Sequence, residues 1–187
     1  MFLRRILAGL LALSSMPFAC AATSPATASG LIASLQVDCR RLGIGDELAL
    51  TLTLRNAGAQ PLVLYRQMGW GGGEGLGLRV SDFDGTDMAA PPAMESHLDP
   101  ARLADPASYL TLLPQRAVQL VRHVPIAALV PGPGNYRLRA EYVSPVGAAQ
   151  ALPKAYFWSR EAGAVVTPAL SLEVGQSPAC PAAGDAG

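Results

Sequence analysis

The chain has 187 residues, half of them hydrophobic and 15% charged, with a formal net charge of zero from 14 basic and 14 acidic side chains. So apolar a polypeptide buries a full core, which excludes an intrinsically disordered chain. The charge balance argues against a nucleic-acid or anionic-membrane partner, since either needs a clustered basic face.

Arg4 and Arg5 open the chain, an apolar run follows from Ile6 to Leu13, and Ser14, Ser15 and Pro17 break it. Ala19-Cys20-Ala21 then supplies the small-x-small pattern cut by signal peptidase. The apolar run is too short to cross a bilayer as a helix, so residues 1–21 are expected to be a secretory signal peptide. That places the mature chain in the periplasm or outside the cell, with 12 basic side chains against 14 acidic once Arg4 and Arg5 are removed. Cys20 leaves with the signal. Cys39 and Cys180 remain, an even pair in an oxidising compartment, and are expected to form a disulfide. The alternative is a lipoprotein anchored through Cys20, although Pro17-Phe18-Ala19 fits a lipobox poorly.

Residues 22–30 are small and polar and read as a linker. From residue 31 apolar side chains alternate, and long helical periodicity is absent. Leu31, Ala33, Leu35, Val37 and Cys39 share one face of a first strand. Leu48, Leu50, Leu52 and Leu54 alternate with Glu47, Ala49, Thr51, Thr53 and Arg55, the cleanest half-buried strand in the chain. Further strands are predicted over Pro61–Arg66, Leu76–Val80, Tyr109–Leu113, Ala117–Val124, Tyr136–Tyr142 and Leu170–Val174. Short helical turns are predicted near Asp99–Leu103 and Pro125–Val130. Ser144 to Gly163 reads as a long loop, and residues 177–187 as a Pro-, Ala- and Gly-rich tail. Seven or eight short strands over residues 31–176, separated by turn signals, predict an all-β antiparallel sandwich.

Pro131-Gly-Pro-Gly134-Asn-Tyr136-Arg-Leu138 resembles the tyrosine corner that leads into strand F of immunoglobulin-like and fibronectin-like sandwiches. The passage from Glu47–Arg55 through Asn56-Ala-Gly58 to Pro61 is similar to that between strands B and C of exported bacterial immunoglobulin-like domains. The resemblance implies a hydroxyl bond from Tyr136 back to upstream backbone. It also implies a first strand pairing in parallel with the last, so that Cys39 and Cys180 meet at one pole and staple the tail. Leu52 and Leu138 stand where antibody-type domains carry their bridge, so the resemblance implies a fold without a function.

Few residues suggest chemistry. The run Gly69-Trp70-Gly71-Gly72-Gly73-Glu74-Gly75 lacks the register and the following helix of a phosphate loop and reads as a flexible connection holding an exposed Trp70. Asp82, Asp84 and Asp87 cluster as a calcium ligand set does, but Asp84-Gly85 is also a common hairpin tip. Glu95, His97 and Asp99 are metal-ligand types, yet His97 and His123 are the only histidines, and a zinc site takes three or four N or S ligands. No nucleophile elbow accompanies either histidine. Tyr156-Phe157-Trp158, beside Lys154, Arg160 and Glu161, has the composition of a binding hot spot, and equally reads as an irregular strand start that seals the end of the sandwich. These expectations describe an exported, non-enzymatic module that contacts an envelope or extracellular protein, with the loop from Ser144 to Gly163 as its contact surface and Tyr156, Phe157, Trp158 and Trp70 as the binding residues, and with no cofactor and no nucleic acid. Trp70 is expected at the opposite pole. A loop-based protease inhibitor is the alternative, and a metal-binding or hydrolytic protein using His97 or the Asp82–Asp87 tip is the second.

Overall fold

A computed structural model describes residues 30–66, 68–70, 75–88, 98–151 and 156–177. The signal-like segment with Cys20, most of the linker, His97, Lys154, Cys180 and the tail from 178 lie outside the described residues.

The described chain is all-β, with two short helices. In order it forms β1 (Leu31–Val37), β2 (Arg41–Gly43), β3 (Glu47–Asn56), β4 (Leu62–Tyr65), β5 (Gly69–Trp70), β6 (Gly75–Asp82), α1 (Pro100–Ala104), β7 (Tyr109–Leu112), β8 (Ala117–Pro125), α2 (Ile126–Leu129), β9 (Gly134–Tyr142), β10 (Val165–Val166) and β11 (Leu170–Gly175). Three-residue 3₁₀ turns cover Pro106–Ser108 and Arg160–Ala162. One sheet has the order β1-β3-β8; a second runs β2-β11-β9-β6-β5, with β10 also on β9; β4 and β7 form a two-stranded third.

The alternation of β3 decides its orientation. Leu48, Leu50, Leu52 and Leu54 are fully buried, each contributing about 1.5–3 kcal/mol by leaving water. They divide between two clusters that both sheets share. Leu52 and Leu54 pack with Leu76, Ala140 and Tyr142 at one pole. Leu48 and Leu50 pack with Val80, Leu138, Leu172 and Val174 at the other. The result is a sandwich-like pair of sheets with one core in two halves.

The first strand departs from its predicted pairing. β1 runs antiparallel to β3, with Leu31 opposite Asn56 and Val37 opposite Leu50. The parallel partner of β11 is the separate β2, with Arg41 opposite Glu173 and Gly43 opposite Gly175. The chain changes sheet between them. Asp38 holds that bend, because its Oδ1 accepts from the amides of Cys39 at 2.9 Å and Ala49 at 3.1 Å. Cys39 therefore precedes the parallel piece rather than ending a strand that pairs with β11.

The third sheet was not expected. All four residues of β4 are buried, because both of its faces are covered. Leu62 and Leu64 face the sandwich core. Val63 and Tyr65 join Tyr109 and Val146 in a separate small cluster, with Leu98, Leu103 and Phe157 packed against it. The described connections at residues 98–108, 144–151 and 156–157 thus build a second layer instead of hanging free.

Candidate functional site

The three consecutive aromatics meet three different environments. Their segment lies beside β4, where the Val63 amide donates to the Tyr156 carbonyl at 3.0 Å and the Trp158 amide donates to the Val63 carbonyl at 2.9 Å. Phe157 pairs in parallel with Val63 in a single bridge. Its ring stands edge-on to Tyr109 at 5.7 Å, and Tyr109 stands edge-on to Tyr65 at 5.8 Å. Trp158 is only 4% exposed and belongs to the sandwich core. Tyr156 alone faces solvent, at 56% exposure, with φ of 64°. A left-handed backbone costs a side-chain-bearing residue about 1–2 kcal/mol, so the bond from the Val63 amide and the packed Phe157 and Trp158 that follow hold Tyr156 in a strained presentation. The expected contact surface from Ser144 to Gly163 is corrected accordingly: Ser144, Val146, Trp158 and Ser159 are buried. The reason is that the described parts of this segment pack against the core and the small cluster beside it.

Residues 145–148 and 160–161 of that segment are tied to one another. The Arg160 amide donates to the Val146 carbonyl at 2.9 Å, and the Arg160 guanidinium donates to the Pro145 carbonyl. Glu161 accepts from the Ala148 amide at 2.9 Å. The Ser159 hydroxyl, then that amide, holds the Glu161 carboxyl below the usual range. Tyr142, fully buried at the end of β9, has its phenol pushed up to about 12 by burial, with the Ser144 hydroxyl acting in the other direction.

Trp70 shares this pole; it does not lie at the opposite one. β5 pairs in parallel with the start of β6, which places Trp70 opposite Leu76, and Leu76 is opposite Tyr142. Gly75 takes φ of 98° there, and a Cβ on it would stand 3.0 Å from the Val143 carbonyl oxygen. The glycine is what lets the two connections touch. Trp70 is half-buried against the same half of the core as Trp158. Its ring lies 5.8 Å under the Arg122 guanidinium. The indole nitrogens of both tryptophans are buried without a hydrogen-bond partner, each an unfavourable term of about 1–3 kcal/mol.

Asn56 organises the turns at this pole and was missed as a key residue. It is 1% exposed. Its Nδ2 donates to the carbonyls of Gln60 and Leu112, both at 2.8 Å, and its Oδ1 accepts from the Gly58 amide at 2.9 Å. The Asn-x-Gly spacing at the end of a strand was the available signal, since Asn side chains close such turns. Its burial was not readable.

The remaining predicted residues fall as follows. Tyr136 donates from its hydroxyl to the Gly132 carbonyl at 2.8 Å, the upstream bond expected of it. Cys39 is half-buried, with Sγ 2.8 Å from the Arg41 carbonyl oxygen; Cys180 lies outside the described residues. Asp82 closes the tip through its Oδ1, which accepts from the Thr86 amide at 2.8 Å, and Gly85 supplies φ of 90°. His123 is exposed on β8, its Nδ1 4.0 Å from Glu47 Oε2. Among the described residues no three His, Cys, Asp or Glu side chains gather as a metal site, and no helix is long and apolar enough to cross a membrane.

No family model matches the chain, and no curated protein sequence matches it. Solved structures similar to it include the CARDB domain of a Pyrococcus furiosus protein. That likeness has 12% identity and a TM-score of 0.37, and covers 79% of this chain and 96% of that one. A second structure of that domain, in complex with di-metal ions, is 13% identical over 77% of this chain and 91% of that one, with a TM-score of 0.35. The sporulation control protein Spo0M of Bacillus subtilis is 8% identical, with a TM-score of 0.41 over 78% of this chain and 49% of that one. At these identities and scores the likenesses say nothing of what this chain binds.

Proposed function

We propose that the chain is an exported immunoglobulin-like module that binds another protein of the envelope or extracellular space through the pole that carries Tyr156. The observation that carries this reading is the presentation of Tyr156. A large ring is exposed at a left-handed position, while Phe157 and Trp158, which follow it, are anchored in packed clusters. A rigid aromatic loses little conformational entropy on binding, and Tyr is among the residues enriched at interface hot spots. The immunoglobulin-like assignment is supported by the Tyr136 bond to Gly132 and by a first strand shared between two sheets. Export and a Cys39–Cys180 bridge belong to the same reading and rest on the basic-apolar start and on the even cysteine count.

The test is a photo-crosslinking side chain placed at position 156 in cells making the full chain, with position 119 on the exposed face of β8 as control. The expected result is one discrete protein adduct from 156 and none from 119. No adduct at 156, or equal labelling from both, would end this reading. Titration of free thiol in the exported protein tests the bridge, with none expected.

A further inference from the structure

The outer face of the second sheet carries three arginines, of which one is matched by carboxylates. Leu78 and Val80 of β6 and Leu138 and Ala140 of β9 point into the core, so Arg79, Arg137 and Arg139 point outward. Arg79 and Arg139 are directly opposite each other across the two strands. Arg137 is flanked by Ser81 on one side and Ser171 on the other. Like charges in direct cross-strand register are destabilising. One of the three is matched: Arg79 Nε lies 2.8 Å from Glu141 Oε2. Glu173, also on this face, is held by Arg41 at 3.1 Å. Among the described residues neither Arg137 nor Arg139 forms an ion pair. The Arg137 guanidinium lies 5.4 Å over the ring of Phe83, which is 67% exposed at the tip after β6.

We propose that this face docks an acidic segment of another protein, with carboxylates on Arg139 and Arg137 and an apolar side chain on Phe83. Guanidinium groups receive carboxylates in bidentate geometry. In the free chain Glu141, and at longer range Asp87, offset the charge of Arg79; a bound carboxylate does the same for Arg139. Phe83 selects a protein over a simple polyanion, because an all-anionic polymer gains nothing from an apolar ring. The surface is separate from the Tyr156 pole, and neither site requires the other.

Titration of the purified full chain at low ionic strength tests the proposal with the peptide Glu-Glu-Phe-Glu-Glu. Its companions are Glu-Glu-Ala-Glu-Glu, Lys-Lys-Phe-Lys-Lys and vesicles of anionic phospholipid. The acidic Phe peptide is expected to bind best. Arg139→Gln is expected to weaken it about tenfold, the loss of one charge-assisted pair. Phe83→Ala is expected to abolish the preference for Phe over Ala in the peptide. Arg139→Gln is expected to leave the melting temperature of the free chain unchanged or raised. Equal binding of the lysine peptide, tighter uptake by vesicles, no binding at all, undiminished binding by Arg139→Gln, or a melting temperature lowered by that change would each overturn the proposal. These outcomes are independent of crosslinking at position 156.

Discussion

The Arg122 guanidinium sits 5.8 Å over the Trp70 ring and joins the outermost strand of one sheet to the outermost strand of the other. Arg122 shares its parity on β8 with Val118, Leu120 and Val124, which pack on the core. It is therefore an inward-pointing charge on an edge strand, a device that discourages a second chain from adding there. A double-mutant cycle with Arg122→Ala and Trp70→Ala is expected to give a coupling of about 0.5–1 kcal/mol in urea unfolding. Arg122→Val is expected to increase aggregation on heating, read by light scattering. A coupling near zero would show that the two residues share only proximity.

Asn56 is expected to be the most costly polar residue to remove. Asn56→Ala leaves the buried Leu112 carbonyl and the Gln60 carbonyl without their donor, at about 2–4 kcal/mol in all. Asn56→Asp is expected to cost as much, because a carboxylate has no proton to offer either carbonyl. Urea unfolding of the two variants checks this, and a loss under 0.5 kcal/mol for both would contradict it.

The tyrosine-phenylalanine-tryptophan run separates packing from presentation. Trp158→Ala is expected to lose about 3–5 kcal/mol through the cavity it leaves. Trp158→Phe is expected to lose less than half of that, because it also removes a buried indole donor that has no partner. Tyr156→Ala is expected to stay within about 0.5 kcal/mol of the parent, as surface changes do. Chemical denaturation of the three variants supplies the ranking.

Tyr142 makes stability depend on alkaline pH. Its phenol rises from 10.0 unfolded to about 12 in the folded chain. Between those values the unfolded chain has released the proton and the folded chain has kept it. The contribution is therefore fully present below about pH 10 and is lost as pH rises through about 12, amounting to about 2–3 kcal/mol. Unfolding free energies measured from pH 9 to 12 are expected to fall less steeply in Tyr142→Phe than in the parent. Parallel curves would remove Tyr142 as the cause.

Where one face of a strand is apolar and the other polar, the chain announced its own arrangement. Leu48 to Leu54 are buried as their alternation requires, and the helical turns appear at Pro100–Ala104 and Ile126–Leu129. Tyr136 carries its signal locally, because its acceptor is four residues away. The candidate site was less legible. Tyr156, Phe157 and Trp158 occupy adjacent positions, and strict alternation allows only two environments for them. The left-handed turn at Tyr156 created a third.

Local pattern, then, was sufficient for the all-β class and for the inward side of the longer strands, since side-chain parity is a property of the strand itself. Only the tertiary structure decided that the first strand divides between two sheets and that Trp70 and Trp158 share one pole. It alone placed Arg79 beside Arg139. Those relationships join residues far apart in the chain, and they arise from strand register and from the closing of the core.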